Sequence, residues 1–197
     1  MKPYGRTFWF AYATNMTLMI SVSLLFRYAD FVSHLNGSEL LLGLIAGIGM
    51  IGALSSRLLQ GAAIDRYGPR VVWQVSLFML AFSCLAHTWI GSVHGPVVFV
   101  MRIIMQTGIA GAFGAGIAFI SLQAPEGRGG EMVGTLGSSG FIGTMIGPTI
   151  GDWIFTAPEI TRVHIDRMFY AAAIVAAVSF VFAGLATRSY KHAVASR

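Results

Sequence analysis

Four polar side chains interrupt long apolar stretches of the chain, where a charge or an amide is costly. Arg102 and Gln106 are four residues apart, so a helix would place this cation and this amide on one face, toward a cavity or another helix. Arg102 could also extend to the nearer membrane surface. Arg57 could bind an anionic group, pair with a carboxylate elsewhere or extend to the inner surface, and Asn15 could hydrogen-bond a solute or a neighbouring helix.

A short charged turn separates two of the apolar stretches. Its informative residues are Gly61, Asp65, Arg66, Gly68 and Arg70. Asp65 follows the end of an apolar helix, where the helix dipole disfavours a carboxylate, so we expect Arg66 or Arg70 to hold it. Gly68 can supply a left-handed turn residue, and Pro69 suits the first position of the next helix. The segment therefore predicts a tight, preset turn between two helices.

Glycine is unusually dense in the apolar stretch 132–155, which contains Gly134, Gly143, Gly147, Pro148 and Gly151. The last three glycines are spaced by four residues, so they share one helix face and allow close backbone approach. Pro148 removes one helix hydrogen bond and can kink the span. We predict a hinging or sliding helix here, and a merely well-packed helix is the alternative.

Membrane-spanning helices are the elements that must position these residues. The 197 residues are 55% hydrophobic and only 11% charged, whereas a soluble domain carries roughly 25% charged residues. Six stretches approach the length of about 20 apolar residues that a span requires. They are 8–26, 40–63, 71–90, 97–122, 132–155 and 168–186. We therefore predict one all-α transmembrane domain over residues 1–197, embedded in a lipid bilayer.

Other classes of site find no support in the sequence. The basic residues do not form a groove-sized patch, so we expect no nucleic-acid partner. The histidines lack the spacing of metal ligands, so we predict no metal, and we predict no cofactor.

The distribution of basic residues predicts the orientation of the spans. With both termini inside, the inner segments hold eight basic residues, among them Lys2, Lys191 and Arg197, and the outer segments hold three. This excess predicts that both termini are cytoplasmic. Glycines recur in the second and fifth stretches, which are the second members of two three-helix sets of opposite orientation. We therefore predict a six-helix bundle built from two inverted three-helix repeats, a device of transporters.

Three motifs, in order along the chain, resemble those of the major facilitator superfamily. The turn is similar to the family's signature between its second and third helices, with matches at Gly61, Asp65, Arg66, Gly68 and Arg70. Arg102 with Gly108 and Gly111 resembles the second motif. The pattern around Gly147 and Pro148 resembles the third, which the family associates with antiporters. The resemblance spans nearly the whole chain but only one half of the family's twelve-helix fold.

The resemblance implies a secondary active transporter of a small-molecule substrate that works by alternating access. It implies proton-coupled efflux, with the arginine at 102 linked to substrate or proton coupling and the Asp65 turn acting as a latch against a second six-helix bundle. It also implies a bacterial inner membrane as the location and no enzymatic activity. The sequence departs from the family pattern at Pro69, Gln106 and Asp152.

Two other functions remain open at the level of sequence. One is a non-transporting membrane module or truncated remnant. The other is a rhomboid-like intramembrane serine protease, because Gly137-Ser138-Ser139-Gly140 matches a G-x-S-G pattern. A serine nucleophile needs a histidine within hydrogen-bond reach, and the stretch 168–186 contains none.

Overall fold

The computed structural model describes residues 4–156 and 159–188, and these residues are helical apart from their connections. The helices are α1 Arg6–Leu24, a 3-10 turn Leu25–Arg27, α2 Tyr28–His34, α3 Glu39–Tyr67, α4 Pro69–His87, α5 Pro96–Gln123, α6 Gly129–Ile154 and α7 Arg162–Ala186. Lys2, Lys191 and Arg197, on which the predicted orientation partly rests, lie outside the described residues. An all-α fold with six long helices is therefore confirmed for the described part of the chain.

The helices differ in extent from the apolar stretches that predicted them. The first stretch, 8–26, ends inside the 3-10 turn, and the chain continues as α2 as far as His34. The sixth stretch, 168–186, corresponds to α7, which begins at Arg162 because Thr161 and His164 form a capping box before a polar first turn. The third stretch, 71–90, corresponds to a helix that ends at His87. A search for apolar length does not detect a polar first turn, so the observed start of such a helix lies before the predicted one.

Five segments are long and apolar enough to cross a membrane within the described residues: Arg6–His34, α3, α4, α5 and α7. The glycine-rich α6 falls short of this criterion by composition, although it has 26 residues and runs among the others. Its glycines contribute little hydrophobicity, but they allow α6 to pack closely against α1.

The packing of the helices has an internal two-fold pattern. Helix α1 packs on α6 and α7, and α5 packs on α3 and α4, while α4 contacts α7. Exchanging the first set (α1, α3, α4) for the second (α5, α6, α7) reproduces the same arrangement, as inverted repeats require. As a consequence α3 and α6 lie at the margin of the bundle. In α3 only Ile45 and Gly49 are buried.

The core lies between α1, α4, α5 and α7 and consists of large apolar side chains. Trp73 of α4 and Phe119 of α5 pack with ring centroids 5.5 Å apart, near the end of the bundle that carries the 65–70 turn. We call this end the turn end. Phe31 and Phe169 meet edge-to-face at 5.2 Å near the opposite end. The first cluster thus joins α4 to α5, and the second joins α2 to α7.

Candidate functional site

An open face of the bundle, formed by α1, α3, α5 and α6, carries two adjoining pockets. The larger, about 610 Å³, lies between α3 and α5 and is lined by Arg57 and Gln106 together with apolar side chains. The smaller, about 330 Å³, lies between α1, α5 and α6 and includes Asn15. Phe113 lines both pockets, so they are neighbours on one surface. The structure thus brings together three of the four polar residues singled out in the sequence.

Arg57 and Gln106 present unused hydrogen-bond donors to the larger pocket. Neither side chain has a hydrogen-bond or ion-pair partner among the described residues, and Arg57 is exposed. Arg57 precedes Asp65 by eight residues, which is about 12 Å along a helix axis. An arginine at the centre of a span costs about 2.5–3.5 kcal/mol on insertion scales. Such a residue is tolerated where water or a ligand reaches it.

Arg102 lies outside both pockets and inside the bundle. Its guanidinium stacks 4.1 Å from the ring centroid of Tyr28, and its Nη1 lies 3.4 Å from the Met105 sulfur. The Nε is buried and has no hydrogen-bond partner in the described part of the chain. Gly49 of α3 makes room for its stem, since a Cβ there would lie 2.8 Å from the Arg102 Cγ. Arg102 and Gln106 therefore share the face toward α3, but only Gln106 lines the larger pocket.

Tyr28 joins Arg102 to a buried histidine. The Tyr28 hydroxyl lies 3.1 Å from His87 Nε2, and His87 Nδ1 lies 2.7 Å from the Ser83 carbonyl oxygen. Because a carbonyl can only accept, Nδ1 carries the proton and Nε2 accepts from the tyrosine. His87 is fully buried and stacks on Phe169 at 5.0 Å. Arg102 is thus held by its cation–π contact with Tyr28, and no carboxylate of the described residues pairs with it.

The turn between α3 and α4 has the predicted backbone but not the predicted ion pair. Gly68 has φ +82° and ψ 157°, a conformation that only glycine adopts freely, and Pro69 is the first residue of α4. Asp65, Arg66 and Arg70 are exposed, and Asp65 has no ion-pair partner among the described residues. The expectation that Arg66 or Arg70 holds Asp65 was therefore wrong.

The two candidate partners of Asp65 are placed elsewhere. The Arg66 guanidinium lies over the ring of its other neighbour, Tyr67, at 5.2 Å from the ring centroid. Arg70 belongs to the next helix, beyond the Gly68 turn. A Cβ built on Gly61 meets no described atom within 4 Å, so packing against the described residues does not require glycine there.

The glycine residues of α6 divide into two groups. A Cβ on Gly143 would lie 2.5 Å from the Met16 carbonyl oxygen, and one on Gly147 would lie 2.8 Å from that of Ile20 and collide with Ser23. A Cβ on Gly134 would have no atom of the described residues within 4 Å, and one on Gly151 would make only ordinary contact, at 3.9 Å. The helix is continuous through Pro148. Close approach to α1 thus explains two of the four glycines, and the predicted hinge remains a prediction.

The comparison with known families decides the class of protein. The model of the Major Facilitator Superfamily matches residues 8–196. The chain belongs to this superfamily. It is therefore a membrane transporter rather than an enzyme, and its six long helices are consistent with a half-domain of the major facilitator fold. No curated protein matches the chain.

The geometry of this major facilitator bundle contradicts the hypothesis of an intramembrane serine protease. Ser139 is fully buried and donates to the Leu136 carbonyl oxygen at 2.6 Å. The amide of Asn15 donates to Ser139 Oγ at 2.8 Å and to Leu136 O at 3.2 Å. No histidine contacts Ser139 among the described residues. Asn15 thus makes a helix contact between α1 and α6, which was the alternative to a contact with a solute. It also lines the smaller pocket.

Sequence reasoning missed several residues of the site. Tyr28 and His87 are separated by 59 positions and share no motif, so no sequence signal pairs them. Phe113 is an unremarkable aromatic residue in an apolar stretch. Gln60 was detectable in principle as an amide within an apolar stretch, and it donates to the Thr107 carbonyl oxygen at 2.9 Å, joining α3 to α5. Asp152, a departure from the family pattern, pairs with Arg27 at 3.3 Å.

Proposed function

We propose that this major facilitator protein is a secondary active transporter that moves a small solute by alternating access, as the N-terminal half of the machinery. The observation that carries the proposal is the open face of α1, α3, α5 and α6. It presents polar groups of Arg57, Gln106 and Asn15 in pockets that are otherwise apolar. A second six-helix bundle facing this surface would enclose a path across the membrane.

The packing of the marginal helices is consistent with motion of this kind. Helices α3 and α6 each rest mainly on one neighbour, through glycines that permit close sliding contact. The exposed Asp65, Arg66 and Arg70 at the turn end are free to contact the second bundle as a latch. We propose that the coupling is to protons in the direction of efflux, and that Arg102 takes part in it through its Tyr28 and His87 neighbours.

Transport is tested in proteoliposomes under an imposed proton gradient, with the chain reconstituted together with the second six-helix bundle that would complete the path. A panel of labelled anionic, neutral and cationic solutes should include at least one whose flux depends on the gradient. The Arg102→Ala variant should lose this dependence, and Arg188→Gln, an exposed arginine near the end of α7, should retain it. Full gradient-driven flux in Arg102→Ala would remove that residue from the mechanism. No flux of any solute would favour the non-transporting module.

The orientation is tested separately. We propose a bacterial inner membrane with both termini cytoplasmic, which places the turn end inside. In a Cys84→Ala background, a membrane-impermeant maleimide added to intact cells should label Trp89→Cys, in the connection after α4. It should not label Glu126→Cys, in the exposed connection between α5 and α6. The reverse pattern would invert the topology.

A further inference from the structure

The charges inside the spans have a single sign. Among the described residues, every carboxylate lies in a connection or within five residues of a helix end. The charged side chains deeper in the helices are Arg57 and Arg102. A cation entering the open face would therefore find no counter-charge deep in the spans among the described residues, whereas an anion would find one.

Of the two arginines, only Arg57 is available to a solute. Arg102 is committed to the Tyr28 ring inside the bundle. Arg57 lines the larger pocket, is exposed and has no partner among the described residues. An unpaired guanidinium at this depth raises the free energy of the protein, so a bound anion would lower it by pairing with Arg57.

The surroundings of Arg57 favour a particular kind of anion. A guanidinium presents parallel N–H groups that match the two oxygens of a carboxylate. Gln106 on the facing helix adds an amide donor, and Met50, Leu54 and Phe113 supply apolar walls. The volume of about 610 Å³ is within the range of about 300–1,000 Å³ typical of small-molecule sites. One cation and apolar walls together suit one negative charge on an apolar body.

We propose that the larger pocket binds an organic monocarboxylate, with its carboxylate on Arg57 and Gln106 and its apolar part against Phe113. This inference rests on the proposed transport function and names the substrate class. The competing role for Arg57 is an ion pair with a carboxylate of the second bundle. In that case the pocket would have no preference for an anion.

Three probes of nearly the same shape separate charge from size: benzoate, benzamide and benzylamine. Radiolabelled benzoate should bind the purified protein in lipid nanodiscs, with benzamide and benzylamine competing at least about tenfold more weakly. Arg57→Gln should weaken benzoate binding by about 10- to 100-fold, and Gln106→Leu by a smaller factor. Arg57→Lys should keep part of the affinity, because lysine keeps the positive charge but lacks the paired N–H donors of the guanidinium. Arg188→Gln should bind as the parent does.

The outcomes that overturn the inference are distinct from those that overturn transport. Absent benzoate binding, equal competition by benzamide, or unchanged binding by Arg57→Gln would each refute the monocarboxylate site. Thermal unfolding of every variant checks its folding, and Gln106→Leu provides a second route if Arg57→Gln unfolds. In proteoliposomes, flux of benzylamine without benzoate refutes the inference and leaves a transporter. Specific benzoate binding without gradient-driven flux of benzoate or of any other solute of the panel leaves the site and refutes the transport function.

Discussion

The contact between α1 and α6 gives the sharpest test of the packing, through the substitution Gly143→Ala. A Cβ at this position would lie 2.5 Å from the Met16 carbonyl oxygen, 2.7 Å from Met19 Cβ and 3.1 Å from the Ile20 nitrogen. These atoms belong to the α1 backbone or adjoin it, so they cannot move aside as the end of a side chain can. The methyl group can be accommodated only if the two helices separate.

Gly134 and Gly137 provide matched controls on the same helix. A Cβ built at either position meets no atom within 4 Å. Replacing a helical glycine by alanine stabilises a helix by about 0.5–1 kcal/mol through backbone entropy, and this gain applies at all three positions. Overpacking costs about 1–3 kcal/mol and applies only to Gly143→Ala. The difference between Gly143→Ala and the controls should therefore be about 1–3 kcal/mol, with the propensity contribution cancelled.

The measurement is reversible unfolding of each variant in detergent micelles, followed by tryptophan fluorescence. Gly143→Ala should unfold at a lower denaturant concentration than the parent, and the two controls at an equal or higher one. If Gly143→Ala proves as stable as Gly134→Ala, the close approach of α6 to α1 is refuted.

Three further substitutions are tested by the same unfolding assay. Arg162→Gln should destabilise the protein by about 1–3 kcal/mol, because Arg162 donates to carbonyl oxygens at the end of α4, among them that of Ile90 at 2.8 Å; full stability would contradict this role. Tyr28→Phe should cost about 1–3 kcal/mol, since it leaves the buried His87 Nε2 without a donor, and an unchanged midpoint would argue against that hydrogen bond. Asp152→Gly should change stability by less than about 1 kcal/mol, because its ion-pairing carboxylate is 73% exposed; a larger loss would mean that the pair is shielded from water.

Local rules predicted the helices and the turn, because their causes lie within short segments of sequence. Apolar length located the helical spans, and the order glycine then proline predicted the conformation at Gly68 and the start of α4 at Pro69. The ion pair expected at Asp65 is not formed, because Arg66 lies over the Tyr67 ring instead and Arg70 belongs to the next helix. Spacing alone placed Arg102 and Gln106 on one face, but it could not show that Arg102 turns inward to Tyr28.

Tertiary contacts account for what the sequence could not show. Arg102 packs on Tyr28 of α2, and Tyr28 in turn hydrogen-bonds His87 of α4. Asn15 could be assigned neither to a solute nor to a helix contact until Leu136 and Ser139 were located beside it. Each of these pairings joins elements that only the fold brings together, and no periodicity records them.

The two-fold related interfaces of the bundle are built from different atoms, and this difference bears on motion. Helix α6 meets the backbone of α1 at Gly143, whereas α3 meets side-chain carbons of α5, with Arg102 Cγ 2.8 Å and Gln106 Cγ 3.2 Å from a Cβ built on Gly49. Side chains can change rotamer without displacing a helix, so the interface of α3 is the more adjustable of the two. Helix α3 is also unbroken from Glu39 to Tyr67 and carries both Arg57 and Asp65. A shift of α3 that alters the pocket at Arg57 must therefore also displace the turn, because a continuous helix moves as a rod.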